Sequence, residues 1–456
     1  MGVIQQIPPH DKPLKELLFI VYFFPPMGGS GVQRPLKYVK YLNEFGWKPI
    51  ILVPEPGLYH TFDSSLEQEL QKLIDQNKVQ VYRVKGGTPL HWNRSKTQWR
   101  PGIRLEKWLR RLSHFFYLPD NKKGWIKQGF QKAEEIIEKH SIQAIYATAP
   151  PYSNLMLAAK LKARLNIPTI MDFRDDWLES HLIAYPTPIH KILMRRLEAS
   201  VLAVADMVIA INEPIASAIS RRYPSLPSVV VQTHGYDSDD FDACFFPDNS
   251  IEKKSTNEKG LSQNETIRIL YSGTFYADSG PGIFLRAVKK LIKEVPSLAN
   301  IIELHFQGSP IEPYLPLINQ LDLGELVHDH GYVPHNEAIL RMQQAGILWL
   351  NNGHRKRSHT ITLSKTYEYM ATRRPIIALI PEGDTKKVLK DYSRSYITSP
   401  DDIEKVKKTI LQAITDVQTG NLKPLNEQWL ETFTRKAIAE SLANKLDSLL
   451  DQDPVN

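Results

Sequence analysis

Cysteine is almost absent from this chain of 456 residues; Cys244 is the only one. No disulfide framework and no multi-cysteine zinc site can be built from it, and a reducing compartment is the simplest inference. Long apolar runs are missing too, with nothing approaching the roughly 20 residues that span a bilayer. The opening MGVIQQIPPHDKPLKE has no apolar signal-peptide core, and Gln6 stands where a myristoylation signal has Ser or Thr. These absences predict a protein made and kept in the cytoplasm, with any membrane contact peripheral. Short-period repeats and low-complexity tracts are lacking as well. What remains is the composition of a soluble globular protein, 42% apolar and 23% charged, with a mean hydropathy of −0.33. A net charge of +7 and a pI of about 9.1 fit an anionic partner without choosing among nucleotide, lipid and nucleic acid. The length exceeds one ordinary core and predicts two or three domains.

Short apolar runs alternate with segments of helical period. LLFIVYFF (17–24) reads as a buried strand. VQRPLKYVKYLNEFG (32–46) reads as a helix with Pro35 tolerated in its first turn and Gly46 as its stop. KPIILVPE, VQVYRV, IQAIYAT, IPTIMDF, ADMVIAIN and SVVVQTH continue the series of strands. Fully apolar strands alternating with helices imply a parallel sheet covered on both faces. Residues 242–265 are polar after Phe246, lack an apolar period, and read as an interdomain linker. The alternation restarts at IRILYSG and runs to about residue 425. The predicted organisation is an α/β domain over 1–241, the linker, a second α/β domain over 266–425, and a C-terminal helix over 426–456 that packs back towards the first domain. Two open parallel sheets, each with loops at the carboxyl ends of its strands, predict a site in the cleft between them.

The most distinctive turn is FFPPMGGSGVQRP. Gly28, Gly29 and Gly31 stand where the first strand hands over to a helix. Glycine there permits positive φ and bares N–H groups at a helix start. The turn is either a packing device or an anion site, and Arg34 favours the anion. The spacing is neither the dinucleotide fingerprint nor a P-loop. IMDFRDDW ends another strand with Asp172, Arg174, Asp175 and Asp176 crowded together. Such a cluster either orients hydroxyls, with perturbed pKa values, or forms an ion pair that fixes the next loop. In TAPPYSN, Ser153 reads as a helix N-cap or as part of a ligand loop.

Taken in order, YFFPPMGGSGVQRPLKYVKYLNEFGWKPIILVP, TAPPYSN, IPTIMDFRDDW, YSGTFYADSGP, HGYVPHNEAI and LSKTYEYMATRRPIIALIP resemble the family 4 glycosyltransferases. More narrowly they resemble a bacterial polysaccharide-assembly branch. The resemblance runs from about Leu17 to Leu450. It implies the GT-B fold, with two Rossmann-like doubly wound parallel-sheet domains facing across a cleft. It also implies catalytic-cleft positions for Asp172, Arg174 and Asp175, with Asp172 or Asp175 towards the acceptor. The donor, a nucleoside diphosphate sugar, would lie against the turn of Gly28, Gly29 and Gly31. Gly273 and Thr274 would flank its diphosphate, and Gly331, Tyr332 and Val333 its base. Lys365 would meet the diphosphate, and Glu368 the ribose hydroxyls. Arg34 and Ser153 fall on the acceptor side. One position departs from the pattern: Thr360 stands where the family often has a glutamate near the donor sugar. The basic stretch Arg355, Lys356 and Arg357 is either a solvated loop or a set of phosphate clamps. No convincing Asp-x-Asp metal motif of the other major glycosyltransferase class is present, and neither a metal nor a separate cofactor is expected.

From Arg104 to Leu118, Leu105, Trp108, Leu109, Leu112, Phe115 and Phe116 recur at helical spacing, with Arg104, Lys107, Arg110 and Arg111 largely opposite. This is either a helix packed on the first domain or one lying in an anionic membrane interface. The expected function is retaining transfer of a sugar to a lipid-linked or oligosaccharide acceptor in cell-surface polysaccharide synthesis, at the inner face of the plasma membrane. The alternatives are a non-catalytic nucleotide-sugar-binding partner in an assembly complex, and a GT-B sugar-nucleotide 2-epimerase. The sequence shows no recognition module for nucleic acid.

Overall fold

The computed structural model describes residues 13–56, 62–85, 115–180, 185–226, 229–242, 266–275, 280–308, 311–353 and 358–451. The chain divides into two compact units. Unit 1 is Met1–Thr233 with Arg435–Asn456, and unit 2 is His234–Thr434.

In unit 1 the apolar runs become β1 (Lys15–Ile20), β2 (Trp47–Pro54), β3 (Gln80–Val84), β4 (Ile142–Ala149), β5 (Thr169–Phe173), β6 (Met207–Ala210) and β7 (Val230–Val231). They pair in parallel in the order β3-β2-β1-β4-β5-β6-β7. Side chains alternate between the faces of a strand. Leu18 and Ile20 therefore enter one core with Ile50 and Leu52, while Leu17 and Phe19 enter another with Ile51 and Val53. Each such side chain contributes about 1.5–3 kcal/mol when buried, so both faces need a cover. The helix Arg435–Asp451 covers the second, placing Ile438, Leu442 and Leu446 against Leu17 and Phe19. Asp447 fixes its position, accepting from Trp47 Nε1 at 2.9 Å and Lys15 Nζ at 2.7 Å.

Unit 2 repeats the plan with β8 (Ile267–Gly273), β9 (Ile302–Gly308), β10 (Val327–Asp329), β11 (Ile347–Asn351), β12 (Ile376–Leu379) and β13 (Ser395–Thr398). The order is β10-β9-β8-β11-β12-β13, again parallel. Ile267, Ile269 and Tyr271 face one core, and Leu270 joins Leu348 and Leu350 in the other. In both sheets the chain reverses its direction of travel beside the first strand, between β1 and β4 and between β8 and β11. Open α/β sheets bind ligands outside the carboxyl ends of their strands at such switch points.

Two boundaries differ from the sequence reading. The tail is not one helix from Asn426: Glu427–Glu431 and Arg435–Asp451 are separate, and the chain passes from unit 2 to unit 1 between them. The other passage falls at Thr233, ahead of the polar stretch, because Tyr236 is already buried in the unit 2 core with Leu270 and Leu430. Residues 243–265 of that stretch lie outside the described residues. No helix among the described residues is long and apolar enough to cross a membrane.

Candidate active-site residues

In unit 1 the glycine turn follows β1 directly. Gly28 is buried and Gly29 is exposed. Gly29 has φ +96°, and a methyl group added there would meet nothing within 4 Å. Its glycine is needed for the backbone conformation, and the space above it is open. The helix begins at Ser30, so Pro35 lies in its second turn rather than the first. Proline brings no N–H, and the carbonyl four residues back, that of Gly31, loses its helical donor. Arg174 supplies one instead: Nη1 donates to Gly31 O at 2.7 Å. The same guanidinium donates to Pro150 O at 2.7 Å and Ala149 O at 3.3 Å. One cation thus ties the glycine turn to the carboxyl end of β4. All three of these bonds go to carbonyls, and the Asp172 and Asp175 carboxylates act on the charge through space. Burial holds the Arg174 pKa below its ordinary value.

Asp175 is the next residue and is partly buried. Burial pushes its carboxyl up to about 6, with Arg174 opposing and Asp176 adding to the rise. The ordinary value is 3.8, so between about pH 4 and 6 the folded state holds a proton that the unfolded chain has lost. Stability therefore falls as the pH rises through that window. Asp175→Asn removes the effect. Relative to wild type, the variant is expected to gain stability from pH 4 to pH 7 in denaturant titrations; an equal difference at both pH values would show that Asp175 titrates normally.

Arg34 and Asp172 depart from the sequence reading. Both are buried, at 1% and 0% exposure, and they bind each other. Nε reaches Oδ2 at 3.2 Å and Nη2 reaches Oδ1 at 3.1 Å. Thr148 Oγ1 donates to Oδ2 at 2.8 Å, and Arg34 also donates to the carbonyls of Gln232 and Thr233 at 3.0 and 2.7 Å. Burial opposes the guanidinium charge, but Asp172, Tyr38 and Tyr146 together outweigh it and hold the Arg34 pKa above its ordinary value. The reason lies in the register. Asp172 is inside β5, one residue short of its end, so it faces the packed helix instead of the open edge. Of the four charged residues in IMDFRDDW, Arg174 and Asp175 are the ones at the edge that are only partly buried. Asp176 is buried, accepting from Leu178 and Glu179 N–H at 2.9 and 2.7 Å and from Arg222 Nη1 at 2.9 Å.

Ser153 also differs. It is the first residue of the helix Ser153–Leu165 and fully buried, and no side chain from the preceding residue caps that helix. The cap comes from Asp120, whose Oδ2 accepts the Ser153 N–H at 3.0 Å while Oδ1 accepts that of Lys122 at 2.9 Å. Sequence reasoning missed Asp120 because its partner lies 33 residues downstream. Trp108, Arg110 and Arg111 lie outside the described residues. Phe115 is described and 49% exposed, its ring 4.9 Å from His190 and 5.2 Å from Phe116.

In unit 2 three glycines meet at the carboxyl edge of β8, β9 and β10. Gly273 and Gly308 are directly opposite in register, and Gly308 N donates to Gly331 O at 2.7 Å. All three have positive φ: +132°, +107° and +60°. A Cβ on Gly308 would lie 2.9 Å from the Gly273 carbonyl oxygen. Gly308 was not singled out from the sequence, where only its place at the end of an apolar run marks it. Gly308→Ala is expected to lower stability by about 1–3 kcal/mol through left-handed strain alone, with the backbone clash adding to it. At Gly331 the methyl meets nothing within 4 Å, so Ala there should cost only about 1–2 kcal/mol. Equal melting points for the two variants would contradict this. Thr274 and Tyr332 are exposed and Val333 is partly buried.

Lys365 reaches over Gly273. Its Nζ donates to Ser272 O at 3.0 Å and lies 4.0 Å from the centre of the Tyr271 ring. A Cβ on Gly273 would lie 3.1 Å from Nζ, closer than the amine comfortably allows, so residue 273 carries no side chain. Burial pulls the Lys365 amine down to about 7, with Glu368 opposing. Glu368 is partly buried and lies three residues along the same short helix, Lys365–Ala371. Ser364 precedes that helix without donating or accepting a capping bond from its side chain. Arg355, Lys356 and Arg357 lie outside the described residues.

Residues 39–240 match Glycosyltransferase Family 4. The whole chain has the GT-B fold. A sucrose-phosphate synthase from Thermosynechococcus elongatus superposes with a TM-score of 0.61 at 13% identity, covering 96% of this chain and 99% of that one. A glycosyltransferase from Rickettsia africae ESF-5 gives 0.61 at 15%, covering 96% and 100%. Anabaena Alr3699/HepE in complex with UDP-glucose gives 0.60 at 14%, covering 95% and 99%. No curated protein matches the sequence.

Proposed function

We propose that this protein is a retaining glycosyltransferase that moves a sugar from a nucleoside diphosphate sugar to a lipid-linked or oligosaccharide acceptor in cell-surface polysaccharide synthesis. The observation that carries the reading is Lys365, an ammonium group drawn out of water beside the bare backbone of Gly273, with a carbonyl and a ring face as its neighbours. A cation in that setting favours an arriving anion, and a diphosphate supplies one. The UDP-glucose complex of the similar Anabaena structure supports a donor of this class.

In this reading unit 2 holds the donor. Lys365 and loop N–H groups stabilise the charge that develops as the bond from the anomeric carbon to the diphosphate breaks. The acceptor oxygen forms the new bond on the same face of the sugar, and its proton passes to the departing phosphate. Glu368 takes the ribose hydroxyls, and the Gly331–Val333 turn takes the base. Unit 1 supplies the acceptor side, with Asp175 and Arg174 beside the open glycine turn. Fixed cations do the work that a metal performs in other transferases, and none is required at this centre. The protein works in the cytoplasm, against the inner face of the plasma membrane.

Thr360, in place of the glutamate common in the family, favours a second reading, a nucleotide-sugar-binding partner without turnover. Thermal shifts with UDP-, GDP-, ADP- and dTDP-sugars test both, because a ligand that binds only the folded state raises its melting point. One of them should stabilise the protein, and no shift with any would sink both readings. Sugar transfer that Glu368→Ala abolishes separates the enzyme from the silent partner. Incubation with donor alone tests for an epimerase, which would change the sugar without an acceptor.

A further inference from the structure

We propose that Glu303, His305 and His328 form a binding site for a divalent transition-metal ion of the zinc class, on the β9–β10 edge of unit 2 and separate from the donor residues. Each of the three offers one ligand atom, and these atoms lie within 4.8 Å of one another. The sheet register brings them together. Leu304 and Phe306 of β9 turn into the core, so Glu303 and His305 share the opposite face. β10 pairs in parallel with His328 directly across from His305. All three side chains are partly buried and open to a small solute.

The contacts without an ion already mark its place. His305 Nε2 lies 2.9 Å from Glu303 Oε2, and the His305 ring stacks on His328 at 4.7 Å and on His330 at 5.2 Å. His305 Nδ1 lies 2.9 Å from His330 Nε2, and Arg341 Nη1 is 3.1 Å from His330 Nδ1. Arginine can only donate. His330 therefore carries its proton on Nε2 and gives it to His305 Nδ1, and His305 in turn points its Nε2 proton at the Glu303 carboxylate. A proton held between imidazole and carboxylate stands where a divalent cation binds both. Two imidazoles and a carboxylate are a donor set that zinc accepts, with the fourth position left to water. Zinc bonds of about 2.0–2.2 Å require the three atoms to close in, which side-chain rotation on a strand edge allows.

Ion binding moves protons without releasing any. His305 gives its Nε2 lone pair to the metal and carries its proton on Nδ1, donating to His330 Nε2. His330 then carries its own proton on Nδ1 and faces the Arg341 Nη1 donor, so the planar guanidinium must shift as one body and loosen the bonds that Nε and Nη2 make to Glu337 at 3.1 and 2.6 Å. His330 thus becomes the outer partner that orients a metal-bound imidazole. Arg268 Nε, 3.6 Å from Glu303 Oε2, is the one competing cation among the described residues. The ion would clamp the three-residue strand β10 to β9, next to the turn at Gly331.

The test is titration of the metal-free full-length protein with Zn²⁺ against a chromophoric chelator, and with Co²⁺ followed by visible absorption. One equivalent should bind, with the absorption band of a four-coordinate Co²⁺ site, and Zn²⁺ should raise the melting point. His328→Gln and Glu303→Gln keep the size and polarity of the edge, and each should weaken binding by at least about tenfold. No uptake by the wild type overturns the proposal. So does uptake that both variants retain undiminished. Should either variant melt below wild type without metal, the wild-type Co²⁺ spectrum decides alone: a six-coordinate, weakly absorbing ion would place the metal elsewhere.

Discussion

Lys365→Met is expected to cut sugar transfer from a nucleoside diphosphate sugar by about 10²–10³-fold, the usual cost of removing one preorganised charge from a transition-state site. Binding should weaken along with turnover, because the ammonium meets the diphosphate before and after the bond breaks. The change should not cost stability. The amine sits at about 7 against an ordinary 10.5, so from about pH 7 to 10.5 the unfolded chain binds a proton that the folded protein has shed. Wild-type stability therefore rises with pH across that window and bears the full penalty below it. Methionine removes the penalty. The variant's melting point should exceed that of wild type most clearly at pH 7 and below, and the gap should close towards pH 10. Nucleotide binding supplies an independent check. A diphosphate beside Lys365 restores its proton, so binding at pH 8 should take up protons, measured as a dependence of the binding heat on the buffer. Full activity in the methionine variant would end the reading of this residue as a phosphate partner.

The second large effect falls on folding. Asp172→Ala leaves the Arg34 cation buried without its counter-ion, which costs about 3–5 kcal/mol. Arg34→Met strands the Asp172 carboxylate and should cost about as much. Changing both together should cost less than the sum of the two, because neither charge is then left alone. The carbonyls of Gln232 and Thr233 lose a donor in either Arg34 variant, so recovery is partial. Denaturant midpoints of the two single variants and the double variant give the coupling directly. If Asp172→Ala melts with wild type but loses transfer activity, the carboxylate acts on substrate and the structural assignment is wrong.

Asp172 and Asp175 show how far sequence reasoning reaches. Both are acids in one octapeptide, and composition cannot rank them. The ranking follows from where β5 ends: Asp172 is in the strand, across from Ile209 of β6, and Asp175 is two residues past the end. Lys365 was singled out because its neighbours in LSKTYEYMATRRP resemble a family pattern. Its low pKa was not legible, since that follows from burial of the amine, and the residues beside it, Ser272 and Tyr271, come more than ninety residues earlier. Gly308 and Asp120 were passed over for the same reason. Gly308 matters through Gly273, and Asp120 through Ser153.

The sequence by itself determined the alternation of strands and helices, and with it two parallel α/β units, because apolar period and turn residues act over a few neighbours. It also determined the glycine turn after β1, since φ +96° at Gly29 is a local demand on the backbone. Only the tertiary structure decided which charges are buried and which stay near the open edge. It paired Arg34 with Asp172, gave Arg174 the carbonyl that Pro35 leaves free, and set His328 across from His305. Those outcomes depend on register and packing between segments far apart in the chain, where the energy of a charge is fixed by what surrounds it and not by its neighbours in sequence.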